Sequence, residues 1–321
     1  MNAASVPIID AVTVAQLLDY PSLVTALRRA FVAPPIVPLR HSIAFPQTPT
    51  SHAGTLLVMP AVQPGSLMAV KLVSIHPGHA GREGGALRST YLALDAASGD
   101  VRGMIDGHAL TVRRTAATSV LAAMELARPD PDVLLIVGSG EIAHALADAY
   151  IEMIKPRLIR IWSRREQQAG RFAAELVARG VAAEPVFDLR KAVPNADIIT
   201  TATLSEVPLV LGADVREGTH VDLVGGFRPE MRESDDDLIA RARVIVDVET
   251  TRKEAGDIAS PLAAGRVTAS SIATLADVLE RRRPGRVLST DVTVFKSAGH
   301  ALEDMAAAEL VFARHASPHS A

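Results

Sequence analysis

Five consecutive apolar residues, Val133-Leu134-Leu135-Ile136-Val137, run directly into Gly138-Ser139-Gly140-Glu141-Ile142-Ala143, and a helix is expected to follow over 141–155. A G-x-G-x-x-A loop between an apolar strand and a helix leaves few folds open. Gly138 permits the tight turn, Gly140 lets the backbone approach a pyrophosphate, and Ala143 keeps the helix close to the strand. The helix N-terminus, with its N–H groups and dipole, then meets the anion. A glycine turn with no ligand is the weaker alternative, because strand, spacing and helix occur together.

The texture around this loop is that of a parallel sheet. Strands are expected at Val133–Val137, Leu158–Trp162, 181–186, 197–201, 220–224 and 244–248, with helices at 141–155 and 166–179 between the first three. Six strands alternating with helices make a full dinucleotide-binding sheet, so the predicted fold class is α/β with a Rossmann-type domain. Upstream of the break Arg128-Pro129-Asp130-Pro131 the pattern differs. Alternating apolar runs at 54–59, 67–74, 87–94 and 101–105 read as strands of a mixed or antiparallel sheet, followed by an Ala-rich helix over 110–127. A last strand at 290–295 and a helix at 299–314 follow the α/β units and are free to return to the first domain.

Composition narrows the function. With 48% hydrophobic and 21% charged residues in 321, the chain carries enough apolar mass for about two domains and is not disordered. Thirty-three basic against 36 acidic side chains supply no broad positive field, which argues against nucleic acid. Zero cysteines exclude disulfides, thiolate metal sites and cysteine nucleophiles. His76 and His79 have too few acidic or histidine neighbours in sequence for a zinc site, and His108 and His144 are uninformative, so no metal is expected. No G-x-S-x-G elbow, Walker loop or H-E-x-x-H motif occurs. A basic region followed by an apolar one is absent near Met1, as is a membrane-length apolar run, and a cytoplasmic protein without membrane partners is expected.

At the tip of the second strand, Ser163-Arg164-Arg165 stands where NAD-preferring sheets place a carboxylate for the ribose 2′-hydroxyl. A hydroxyl and two guanidiniums complement a 2′-phosphate, so NADP(H) is expected ahead of NAD(H). The alternative is that both arginines only solvate the next helix. The cofactor set is taken as Gly138, Ser139, Gly140, Glu141, Ile142, Ala143, Ser163, Arg164 and Arg165, together with Thr115, Thr203 and Gly225. For substrate, the first domain offers Arg40, Lys71 and Arg114. Lys71 lies in the apolar run Met68-Ala69-Val70-Lys71-Leu72-Val73 and is the proton-handling candidate, since a cation among apolar neighbours needs a partner or a displaced pKa. An outward-pointing edge lysine is the alternative. Arg114, read as lying beside a helix start, suits a carboxylate clamp, against an ordinary surface ion pair.

Taken together, Val58-Met59-Pro60, Lys71, Asp106-Gly107, Arg114-Thr115-Ala116-Ala117-Thr118-Ser119, the Gly138 loop and Phe295-Lys296-Ser297 with Gly299 resemble the ornithine cyclodeaminase and mu-crystallin family over nearly the whole chain. The resemblance implies a homodimer of two-domain chains. A discontinuous α+β substrate-binding and dimerisation domain, 1–128 with 296–321, would receive the C-terminal helix, and 129–295 would form the Rossmann domain. It also implies that Arg40 and Arg114 hold a substrate carboxylate beside an active-site Lys71.

Two departures point away from ornithine cyclisation. Phe227 follows Gly225-Gly226 where cyclodeaminases carry a carboxylate, and Leu57 replaces a glutamate two residues before Met59-Pro60. The segment 227–236 resembles instead mu-crystallin and pyrroline- or piperideine-carboxylate reductases. Phe227 is then either a flat wall beside the substrate or core filling. The expected activity is NAD(P)H-dependent reduction of a cyclic ketimine carboxylate to an amino acid. Ornithine cyclodeamination, amination of a 2-oxo acid and a binding protein without turnover are the alternatives.

Overall fold

The alternating runs upstream of residue 107 do pair into a sheet. In the computed structural model, which describes residues 6–45, 54–76 and 87–316, the strands are β1 (Ile8–Ile9), β2 (His41–Phe45), β3 (Gly54–Val62), β4 (Leu67–Ile75), β5 (Leu87–Asp95) and β6 (Val101–Asp106), ordered β1-β6-β5-β4-β3-β2. All neighbours are antiparallel except β1 with β6. Helices α1 (Ala11–Leu17) and α2 (Tyr20–Val32) start where the carboxylates of Asp10 and Asp19 accept the N–H of Thr13 and Ser22. Leu23, Val24, Leu27 and Phe31, at helical spacing, give α2 a buried stripe. The C-terminal helix Ala301–His315 packs on α2 and on β3 and β4.

Register places Met59, Lys71, Tyr91 and Ile105 in one row across β3, β4, β5 and β6, all buried. The opposite face is largely apolar, with Ser74, Arg88 and Thr90 among its polar members. Ile8, Ile43 and Leu72 are exposed there at 73%, 50% and 40%, among half-buried Val58, Val70 and Leu92.

The second unit is a parallel sheet of eight strands: β7 (Val133–Val137), β8 (Leu158–Trp162), β9 (Ala183–Pro185), β10 (Ile198–Thr201), β11 (His220–Leu223), β12 (Arg243–Val246), β13 (Ala273–Thr274) and β14 (Thr293–Lys296). Their order is β13-β12-β14-β11-β10-β7-β8-β9. The six expected strands are present in Rossmann order, but the sheet is larger than six. β14 enters between β11 and β12, because its four residues are apolar or paired on both sides and fully buried. Of the two C-terminal elements only the helix belongs with the first sheet.

Three further helices matter for the site: α3 (Gly107–Leu126), α4 (Glu141–Met153) and α5 (Glu166–Ala178). α3 begins three residues before the expected start, where Asp106 Oδ1 accepts the N–H of Ala109 at 2.8 Å. The compact units divide within it, as Met1–Arg114 with Ala301–Ala321, and Thr115–His300. Sequence reading placed the changes at 128/129 and 295/296 instead. The prolines after α3 end the helix, but packing already changes where Ala116 to Ala123 bury themselves in the second unit.

Candidate functional site

The strand order reverses between β7 and β10, whose carboxyl ends are the switch point at which doubly wound sheets bind ligands. A crevice of about 330 Å³ opens there, lined by Gly138, Ser139, Trp162, Ser163, Arg164, Arg165, Gln168, Ala202, Thr203, Leu204, Ser205 and Leu209. Gly138 has φ +136°, and a Cβ on it would stand 2.6 Å from the carbonyl oxygen of Ala202, so the fold itself demands glycine. Gly140 is different. It caps α4 with φ −86°, and a Cβ there meets no chain atom within 4 Å. The chain leaves that space open beside the N-terminus of α4, as a pyrophosphate requires. Ala143 is fully buried against the sheet.

The Ser163 hydroxyl lies 2.9 Å from that of Ser139, which donates to Gln168 Oε1 at 3.1 Å. Arg164 and Arg165 are exposed along the rim, and no carboxylate lines the crevice. These residues fit a dinucleotide. Among the expected cofactor residues, Gly138, Ser139, Ser163, Arg164, Arg165 and Thr203 form the wall, Gly140 to Ala143 start α4, and Gly225 lies against Thr203. Thr115 stands half-buried on α3, outside the wall. A larger hollow of about 600 Å³ near Arg128, Asp197 and Arg286 lies by the amino ends of β7 and β10. There Asp197 is taken by two arginines and by the N–H groups of Asp132 and Val133, a structural arrangement.

Behind the crevice the second unit holds buried carboxylates that sequence reading missed. Asp222 accepts from Thr200 Oγ1 at 2.7 Å, and from Ser119 Oγ and the Tyr150 hydroxyl at 3.2 Å. Burial pushes its carboxyl up to about 6 despite those donors. Glu233 accepts from Thr201, Thr203 and Gly225, and burial raises its carboxyl while Lys296 opposes the rise.

In the first unit, Lys71 is 3% exposed on the fourth of six strands, so the outward edge-lysine alternative fails. Its Nζ donates to both oxygens of Asp304, at 3.0 and 3.2 Å. Arg114 is not at a helix start but about two turns into α3. Its Nε donates to Asp304 Oδ1 at 3.0 Å and its Nη1 to Glu303. It is therefore no surface ion pair, and both carboxylates come from the C-terminal helix, a connection invisible in the sequence.

Burial lowers the Lys71 pKa, Asp304 working against that and Arg114 with it. Burial likewise opposes the charge on Arg114, but Asp304 and Glu303 outweigh it and hold the guanidinium above its ordinary value. Asp304 is lowered, the two cations overcoming burial. Arg113 turns elsewhere, stacking over Tyr20 at 4.0 Å and donating to Leu18. Arg40 is half-buried just ahead of β2, where continuing the β2–β3 register by one step sets it opposite Met59, the neighbour of Lys71. Leu57 shares the strand face of Met59, so no acid stands there. Phe227 is half-buried rather than core, with the Arg228 guanidinium 5.8 Å from its ring.

His144 stacks on Phe172 at 3.7 Å and pairs with Glu175, and His79 lies outside the described residues. Among the described residues no cluster of three His, Asp or Glu could hold a metal, and no helix is long and apolar enough to cross a membrane.

Residues 8–318 match the ornithine cyclodeaminase/mu-crystallin family. The chain belongs to that family. Its relatives include the Delta(1)-pyrroline-2-carboxylate reductase of Paracoccus denitrificans, 37% identical over 299 residues covering 92% of each chain. The ketimine reductase mu-crystallin of Mus musculus is 35% identical over 263 residues, covering 81% of this chain and 80% of the relative. Among solved structures, the Thermococcus litoralis Delta(1)-pyrroline-2-carboxylate reductase in complex with NADH and L-proline superposes with a TM-score of 0.89 at 28% identity, covering 98% of this chain and 99% of that one. Family membership and fold are thus shared with reductases that match four fifths or more of this chain.

Proposed function

We propose that this family member is an NADP(H)-dependent oxidoreductase that reduces a cyclic ketimine carboxylate, pyrroline- or piperideine-2-carboxylate, to the saturated amino acid. The observation that carries the reading is the charge balance around Lys71 and Arg114: two buried cations already matched by two buried carboxylates, Asp304 and Glu303. Such a site accepts a neutral ligand at least electrostatic cost. An iminium carboxylate is a zwitterion and brings no net charge, whereas a 2-oxo acid adds a negative charge and ornithine a positive one. Leu57 and Phe227 stand at the two sequence positions where cyclodeaminases carry acids, which speaks against the management of a second amine.

Arg114 and Lys71, joined by Arg40, would orient the substrate carboxylate by charge-assisted hydrogen bonds. The crevice residues Gly138, Ser139, Ser163, Arg164, Arg165 and Thr203, with the first turn of α4, would hold the dinucleotide, which when bound supplies hydride. Because an iminium nitrogen already carries its proton, no side chain has to deliver one, and Lys71 serves by holding charge and orientation. Two exposed guanidiniums without a carboxylate support NADP(H) over NAD(H). A second copy of the chain is the proposed occupant of the largely apolar sheet face bearing Ile8, Ile43 and Leu72, since a sheet facing water on one side should alternate with polar residues.

The experiment is to mix the protein with NADPH and each cyclic imine and follow the near-ultraviolet absorbance of the reduced nicotinamide. Consumption with pyrroline- or piperideine-2-carboxylate is expected. No consumption with either, or proline and ammonia formed from ornithine without added reductant, overturns the reading.

A further inference from the structure

The turn after β10, which lines the crevice with Thr203, Leu204 and Ser205, is held against the turn after β11 by a side chain that itself reaches no solvent. Glu233 is fully buried. Its Oε1 accepts from the Thr203 N–H and hydroxyl, both at 2.7 Å, and its Oε2 from Thr201 Oγ1 at 2.7 Å and the Gly225 N–H at 2.8 Å. Four donors on two oxygens use the whole acceptor capacity of a carboxylate, which an amide cannot match. The turns are pressed together so closely that a Cβ on Gly225 would overlap the Thr203 backbone.

Glu233 is itself fixed from behind. Asp257 Oδ1 accepts the N–H groups of Glu233 and Ser234 at 2.8 and 2.9 Å, and Asp257 Oδ2 lies 3.5 Å from Lys296 Nζ at the end of β14. All three charged side chains are fully buried. The insertion of β14 beside β11 therefore places a cation under the two carboxylates, a reason for that strand to be where it is. In a doubly wound sheet the tip of the second strand takes the adenosine side of a dinucleotide, so the β10 and β11 turns face its other half.

We infer that Glu233 is a positioning residue for the dinucleotide, clamping the turn after β10 to the turn after β11 so that Thr203, backed by Gly225, presents a preformed wall to the nicotinamide half. This rests on the dinucleotide reading of the crevice. It does not depend on which imine is reduced.

The test is calorimetric titration of wild-type protein and Glu233→Gln with NADPH and, separately, with 2′,5′-ADP, which carries only the adenosine half. The amide turns an N–H toward at least one donor of the clamp, and affinity for NADPH is expected to fall about tenfold or more while that for 2′,5′-ADP changes less than about twofold. Equal losses for both ligands would show a general structural role and overturn the inference, as would unchanged NADPH affinity. Wild-type protein that binds neither ligand would instead refute the dinucleotide reading, and the clamp with it. If Glu233→Gln does not fold, Thr201→Val removes one donor at nearly constant volume. It should weaken NADPH about threefold and spare 2′,5′-ADP, and an equal effect on both would again refute the clamp.

Discussion

Replacing Asp222 with asparagine removes a carboxyl that the fold keeps at an energetic disadvantage when ionised. The side chain is fully buried on β11, and its pKa rises from 3.8 to about 6, with burial the largest cause. At 1.36 kcal/mol per unit, a rise of roughly two units costs about 3 kcal/mol once the group has ionised. The sign follows from proton counting. Between about pH 4 and 6 the folded state holds the proton more tightly than the unfolded chain, so stability falls as pH rises through that window and the cost is complete above it.

Asparagine cannot ionise, and the Thr200, Ser119 and Tyr150 hydroxyls around it can each donate or accept. The variant should therefore resemble the wild type near pH 4 and gain on it by about 3 kcal/mol near pH 7. Urea unfolding read by tryptophan fluorescence measures this directly, because Trp162 is the single tryptophan and lies on β8 of the same unit. A stability difference between the two proteins that stays constant from about pH 4 to 7 would refute the reasoning, since it would mean that Asp222 titrates like an exposed aspartate.

Gly140→Ala should leave stability nearly unchanged but weaken dinucleotide binding, whereas Gly138→Ala should lower both, as thermal unfolding and NADPH titration would show. Lys71→Ala and Arg114→Ala should each reduce kcat/KM by about 10²-fold or more in imine reduction, and wild-type kinetics in both would remove them from the site. Asp304→Asn leaves Lys71 and Arg114 short of one carboxylate and should destabilise the first unit by about 3–5 kcal/mol, measured by circular dichroism in urea. Leu72→Arg should shift the protein from dimer to monomer in analytical ultracentrifugation if the open sheet face is the homodimer interface.

What the sequence determined by itself was everything encoded in contiguous residues. The five apolar residues, the glycine loop and the following helix specify their own conformation, because strand, turn and helix preferences act over a few positions, and β7 and α4 start where the reading put them. The same holds for the alternating strands of the first sheet, and for Lys71 as a cation that had to find a partner. The partner itself was not legible. Asp304 lies 233 residues from Lys71 and 190 from Arg114, and no local pattern marks it or Glu303 among the acids of an ordinary helix.

The association of Glu233, Asp257 and Lys296 was equally silent: Lys296 and Glu233 stood in segments that carry the family resemblance, but the three charges meet only when β14 is placed between β11 and β12. A strand of four residues carries too little pattern to declare its neighbours. Tertiary packing decides them, because a buried charge is tolerated only where a distant segment of the chain supplies its counterpart.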